Sequence, residues 1–213
     1  MTSETNTQSD LVILTADRDA RFAIQGILAR WKALGIRQIV DPLCVVHPQR
    51  DPGVFHNLDD GLLPAFARTH RHAMVIMDRE GSGVEHLKSS VEMEETIEAA
   101  LRAKGWGDRA AAIVIDPELE AWIWADSPHV AEVLGWQGRT PNLASWLEQK
   151  NWKTPDSPKP SRPKEALDAA LYETKIPHSS SLFRKLAEKI SLLRCTDRSF
   201  LKMRTTLQRW FEK

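Results

Sequence analysis

Residues 73–80 read AMVIMDRE, five apolar side chains in an unbroken run closed by Asp78-Arg79-Glu80. A short run with no polar alternation marks a strand buried on both faces, because a sheet with one wet face would alternate. Three other stretches carry the same signature: Leu11 to Thr15, Ile36 to Val46 with an interruption at Asp41-Pro42, and Ala110 to Ile115. Helical spacing fills the gaps. Phe22, Ile24, Ile27, Leu28, Trp31 and Leu34 recur at helical intervals after Asp19, and Gly35 is a natural stop. Residues 58–68 predict a short helix with Leu62, Leu63 and Phe66 inward, and Val91 to Lys104 a longer one ended by Gly105. Asp116-Pro117 is expected to open a helix through Leu119, Trp122 and Ile123, since proline is favoured in a first turn. Strand and helix alternate. The alternation predicts a three-layer α/β domain over 11–136, built on a mainly parallel sheet with right-handed crossovers.

On either side of that domain the signal changes. Residues 1–10 (MTSETNTQSD) are polar and read as a disordered leader. After Trp136 no strand pattern remains, so 137–213 reads as a small helical extension. Within it 151–164 (NWKTPDSPKPSRPK) is a Pro/Lys/Ser linker, and helices are expected over 164–172, 181–193 and 199–211. No stretch approaches the roughly 20 apolar residues that cross a bilayer, so no membrane role is expected. Cys44 and Cys195 stand far apart without a CxxC partner, which argues against a disulfide framework or thiolate zinc site and points to a reducing, cytoplasmic setting. The net charge of zero hides an asymmetry. Residues 1–135 hold 13 Lys+Arg against 21 Asp+Glu, and residues 136–213 hold 16 against 8. A basic extension beside an acidic domain either serves their mutual attraction or draws a polyanion toward an acidic site.

In a parallel α/β sheet, ligands bind outside the carboxyl ends of the strands, so polar residues directly after the apolar runs are the ones to examine. Asp17 and Asp19 follow the first run and His47 the second. Asp78 and Glu80 follow the third; Asp116, Glu118 and Glu120 follow the fourth, with Asp126 further along the same expected helix. Two carboxylates separated by one residue in an extended turn point the same way, and Gly81 lets the backbone leave. Such an oxygen-only set suits Mg2+ or Mn2+ rather than zinc, and without a cation its members would repel one another. The plainer explanation for Glu118 is the preference of helix starts for acids.

The order of motifs, MVIMDREG, then IVIDPELEAWIWAD, then CTDRSFLKMRTTLQRW, resembles the DUF4276 group of Toprim-like proteins across most of residues 11–211. It is also similar to the small Toprim-like component of methylation-associated antiphage systems. The most specific parts are PELEAWIWAD and the late Cys/Ser-Phe helix. The resemblance implies a Toprim-like fold and a metal-dependent phosphodiesterase or nuclease acting on nucleic acid, DNA ahead of RNA, alongside other proteins of a defence operon. It places metal ligands at Asp78, Glu80 and Glu120 with Glu118 assisting, and catalytic roles at Asp17, Glu80 and Glu120. One departure matters. Where the family carries a glutamate beside a glycine at the end of the first strand, this chain has Thr15-Ala16, leaving Asp17 or Asp19 to supply the acid and Asp17 as candidate base. A chain without that glutamate could instead serve as an adaptor or sensor.

Other residues weigh less. Arg184, Lys185, Lys189, Arg198, Lys202 and Arg204 lead the basic set of the last helices, which could follow a phosphate backbone or bind an acidic protein. Trp122 and Trp124 cannot share one helix face, so one is expected to be exposed, Trp124 being the candidate stacking surface and partial burial the default. His70 and His72 read as surface histidines, and Ser179 to Ser181 as a helix start.

Overall fold

Among the residues described in the computed structural model (8–57, 62–125 and 127–213), four strands form one sheet: β1 (Ser9–Thr15), β2 (Leu43–Val46), β3 (His70–Asp78) and β4 (Ala110–Ile115). All neighbours are parallel, in the order β2-β1-β3-β4. The helices are α1 (Arg18–Leu28), α2 (Trp31–Leu34), α3 (Arg50–His56), α4 (Ser90–Leu101), α5 (Glu120–Ile123), α6 (Pro128–Val133), α7 (Leu143–Gln149), α8 (Pro163–Thr174), α9 (Ser180–Lys189) and α10 (Arg198–Trp210).

The unbroken apolar runs are explained by what covers them. Leu11, Ile13, Met74, Ile76, Ile113 and Ile115 face one layer, made of α1, α5, α8, α9 and α10. Val12, Leu14, Ala73, Val75, Met77, Ala112 and Val114 face the other, with Val54 of α3, Met93 and Ile97 of α4, and Trp106. The fold is therefore a three-layer α/β sandwich. Its C-terminal helices, set apart in sequence by charge and by a linker, lie in the same core as the sheet: Phe183 and Leu186 of α9 and Phe200, Met203 and Leu207 of α10 are fully buried with Ile13 and Ile76. Gly26 lets α1 and α9 approach closely, since a Cβ there would lie 2.8 Å from the Ala187 Cβ and 2.9 Å from the Arg184 carbonyl.

Several local expectations are corrected. The strand begins at Ser9, inside the expected leader, because Asp10 is buried and accepts from Arg37 (2.7 and 2.9 Å) and from the Val40 N–H (2.6 Å); residues 1–7 lie outside the described residues. β2 keeps only Leu43–Val46 of the expected 36–46, since Asp41 has φ +48° and Pro42 has no N–H to pair. The first helix breaks after Leu28 and resumes as α2, which Gly35 ends at φ +81°. Of the helix expected at 58–68, residues 58–61 lie outside the described residues and the rest is one 3-10 turn, Pro64–Phe66. α5 starts at Glu120 rather than Pro117, whose carbonyl accepts the Glu80 N–H (2.9 Å) and so belongs to the turn.

Candidate functional site at the carboxyl ends of the strands

The strand order reverses direction between β1 and β3, with α1 covering one face and α3 and α4 the other, which makes this the switch point at which open α/β sheets bind ligands. Asp17 leaves β1 on one side of it, and Asp78 ends β3 on the other, in register with Ile115 of β4. Asp17 caps α1, its Oδ1 accepting from the Ala20 N–H at 2.8 Å. The Asp78 N–H donates to Oδ1 of Asp51 (2.8 Å), a residue in the first turn of α3. Burial raises the Asp78 carboxyl well above the ordinary range; the charges of Asp51, Glu120 and Asp17 add to the rise and the Leu119 N–H opposes it. Asp51 is raised too, first by burial, with Asp17 adding and the Asp78 N–H and Lys164 opposing.

On the β4 side, Glu118 and Glu120 are both buried. Burial pushes Glu120 up to about 7, with Glu118 adding and Lys164 and His178 opposing. Glu118 is raised mainly by burial, and it already has a partner: its Oε1 accepts from the Lys164 N–H at the start of α8 (2.9 Å), and Oε2 lies 4.0 Å from Nζ. Burial pulls the Lys164 ammonium down, but Glu120, Glu118, Asp78 and Asp168 outweigh it and hold the group above its ordinary value. His178 bridges two further carboxylates, Nδ1 to Asp168 (3.1 Å) and Nε2 to Asp19 (3.2 Å), while Asp19 also takes a hydrogen bond from Ser180.

The Asp78-Arg79-Glu80 turn splits its duties. Asp78 is half-buried at the strand end, whereas Glu80 is exposed and its charge is felt at Glu118. Arg79 donates to the carbonyls of Lys88 (3.1 Å) and Glu85 (2.5 Å) and to Asp116 (3.5 Å), fastening the loop that follows. Thr15, at the position where a glutamate was expected, spends its hydroxyl on the Asp17 carbonyl (3.0 Å) and the Val45 carbonyl (3.3 Å). His47 is buried, its Nδ1 accepting the Gln49 N–H at 3.1 Å. Asp126 lies outside the described residues. Asp78, Asp51, Asp17, Glu118 and Glu120 are thus electrostatically coupled, but no three His, Cys, Asp or Glu side chains among the described residues are grouped so that they could hold a metal ion.

The two sequence blocks that carry the resemblance touch each other. Asp197 caps α10, and Trp122 Nε1 donates to Ser199 Oγ (2.8 Å) and Asp197 Oδ1 (3.2 Å), with the Phe200 ring edge-on at 5.4 Å. Trp124 is only 6% exposed and donates to the Pro163 carbonyl (2.9 Å), so neither indole is a free stacking surface. Between them these contacts fix α5, and therefore Glu120, against α8 and α10.

The basic residues fall in separate places. Arg198 makes a bidentate pair with Glu94 (2.9 and 2.8 Å), and Lys202 contacts Glu94 (3.1 Å) and Glu98 (2.8 Å). Those glutamates in turn accept the Val114 and Ala112 N–H groups (3.0 Å each), donors on the outer edge of β4. On α9, Arg184 pairs with Glu188 (2.8 Å) and Lys189 with Glu132 (2.5 Å), Lys185 is exposed, and Arg204 of α10 is half-buried. His70 is buried and His72 stacks on Trp210 at 4.4 Å, so neither is a surface histidine of the expected kind. The two cysteines are free, and burial pushes the Cys44 thiol to about 11. Among the described residues no helix is long and apolar enough to cross a membrane. Comparison with protein-family models, curated proteins and solved structures finds no match for this chain.

Proposed function

We propose that the acidic cluster at the strand ends is a Mg2+ or Mn2+ site of a Toprim-like phosphodiesterase or nuclease, serving in a bacterial antiphage system. The observation that carries this reading is the gathering of Asp78, Asp51, Asp17 and Glu120 at the switch point of the sheet, with Asp78, Asp51 and Glu120 all raised first by burial and then by neighbouring acids. Oxygen-only donors whose mutual repulsion a divalent ion would relieve suit a hard cation. The resemblance of MVIMDREG and PELEAWIWAD supports the assignment of Asp78 and Glu120 as the pair that would hold the ion, with Asp51 behind them, accepting the Asp78 N–H, and Glu118 engaged by Lys164. A bound ion would polarise a phosphate and lower the pKa of a water. Around it, Asp17 is the acid placed to take a proton, and Glu80 remains on the solvent side. Titration calorimetry of Mn2+ into the full chain is expected to show binding that Asp78→Asn removes. Absence of Mn2+ and Mg2+ uptake by the unaltered chain overturns the proposal.

The commitment of the Thr15 hydroxyl to two carbonyls favours a second reading, a catalytically reduced adaptor or sensor that keeps the site for binding a partner protein. Metal-dependent cleavage of single- or double-stranded DNA by the purified chain, lost in Glu120→Gln, would exclude it.

A further inference from the structure

The sheet has two outer strands, and their edges are finished differently. At β4 the outward Ala112 and Val114 N–H groups are taken by Glu98 and Glu94 (3.0 Å each), with α4 and α10 packed against the strand. β2 is left open. The His47 N–H donates to the Thr15 carbonyl (2.9 Å), and the Val45 carbonyl accepts from the Thr15 hydroxyl (3.3 Å), so Val45 and His47 face β1. Backbone groups alternate sides along a strand, which turns the N–H and C=O of Cys44 and Val46 away from the sheet. Among the described residues nothing bonds to these groups. β2 has no buried residue, where β4 is buried from Ala111 to Ile115. Leu43 is 38% exposed and Val40, just before the strand, 59%.

An edge of this kind accepts another strand, and the flanks of β2 say which. Positions 42 and 48, the next to face outward, are both proline and offer no N–H. The pattern is symmetric about Val45. A second β2 laid antiparallel, Val45 against Val45, sets Cys44 opposite Val46 at both ends, and every outward group of the two residues is paired in each copy. Centring the pair on Cys44 or on Val46 instead sets the other of the two against a proline and leaves its carbonyl without a donor. Charge agrees with this register. Asp41 precedes the strand and Arg50 follows it, both exposed and neither in an ion pair among the described residues. The antiparallel arrangement brings the Asp41 end of each copy beside the Arg50 end of the other.

We propose that β2 is the subunit interface of a homodimer, in which the sheets of two copies join edge to edge about a two-fold axis beside Val45. The prolines limit the pairing to one short strand, and the closed β4 lies at both outer margins, so the assembly ends at two copies. The axis reverses strand direction. The acidic clusters of the two copies therefore open at opposite ends of the joined sheet.

Sedimentation equilibrium of the full chain is expected to give twice the mass of one chain. Val46→Pro deletes an outward donor that has no partner within the chain, and Leu43→Lys sets a charge on the edge. Both are expected to sediment as single chains with the wild-type far-UV spectrum, and should one fail to fold, the other decides. In a Cys44→Ala background, Val45→Cys is expected to form a disulfide-linked dimer on mild oxidation, because opposed residues of a closely spaced antiparallel pair bring their Cβ atoms within reach. Val40→Cys, exposed but off the axis, is expected to stay uncrosslinked. A wild-type chain that sediments as a monomer overturns the inference and leaves the edge to a strand of another protein. A dimer that survives both edge variants overturns it too, as does a Val45→Cys chain no quicker to cross-link than Val40→Cys, since either places the contact elsewhere.

Discussion

At the level of single residues, the acidic cluster stores repulsion that pH and substitution should reveal. The Glu120 carboxyl titrates near 7 when folded, against 4.5 for an ordinary glutamate. Between those values the folded chain binds the proton more tightly than the unfolded one, so without metal its stability falls as pH rises from about 4.5 to 7 and stays low above. The full shift corresponds to about 3 kcal/mol as an upper figure. Urea melts at pH 5 and pH 8 in a chelator should show this loss, and Glu120→Gln should flatten it; a wild-type chain equally stable at both would contradict the assignment. Asp78→Asn removes a carboxyl whose ionised form burial and the charges of Asp51, Glu120 and Asp17 disfavour, and is expected to raise the Tm of the metal-free chain at pH 8. Thermal melts in chelator check that, and a lower Tm would mean that the carboxylate was being held by a partner rather than repelled. Asp78 was legible in sequence because it directly follows an apolar run, and Glu120 because it stands in the PELEAWIWAD block a few residues after another. Asp51 and Lys164 were not: Asp51 follows no apolar run, and Lys164 reaches the site across 46 positions through its N–H bond to Glu118.

At the level of elements, the polar traffic between α4, α10 and β4 explains a charge pattern that sequence alone left ambiguous. A parallel sheet ends in a strand whose outward N–H groups invite another chain. On β4 they are taken by Glu94 and Glu98, and the buried charge that this creates is balanced by Arg198 and Lys202. Cations that looked like a path for a phosphate backbone therefore close an edge. Arg198→Met should leave Glu94, only 3% exposed, with Lys202 alone, and cost about 2 kcal/mol, less than a fully buried pair because the arginine is 46% exposed. Hydrogen exchange gives a sharper readout: the Val114 amide, held by Glu94, should exchange faster in the variant while the Ile113 amide keeps its protection. Equal protection throughout would show that the edge does not depend on the arginine. β1, β3 and β4 could be read from their apolar runs because burial on both faces leaves no alternation to misread. β2 was overdrawn because Ile36 and Ile39 are buried without being strand, and a one-dimensional pattern records burial rather than pairing.

At the level of the whole molecule, charge and composition divide the chain where packing does not. The sequence changes character at Trp136, and the Pro/Lys/Ser stretch at 151–164 has the composition of a linker, yet Ser161 bonds Trp152, Lys159 bonds Asp197, the Pro163 carbonyl accepts from Trp124 and the Lys164 N–H donates to Glu118. Linker composition reports only that a segment makes no repeating secondary structure, which leaves its tertiary contacts undetermined. The consequence for folding is large. Leu182, Phe183, Leu186, Phe200, Met203 and Leu207 are each 5% exposed or less, and burying such side chains contributes roughly 1.5–3 kcal/mol apiece. Their loss would total about 9 kcal/mol at the low end, against a typical net stability of about 5–15 kcal/mol. A chain ending at residue 162 would also bare Ile24, Ile27 and Trp122 and leave Glu118 buried without the Lys164 N–H. Such a chain is expected to lose its cooperative melt, bind ANS and broaden its amide spectrum, while a well-dispersed spectrum with a single sharp melt would show that the residues up to 162 hold the sheet without α8, α9 and α10.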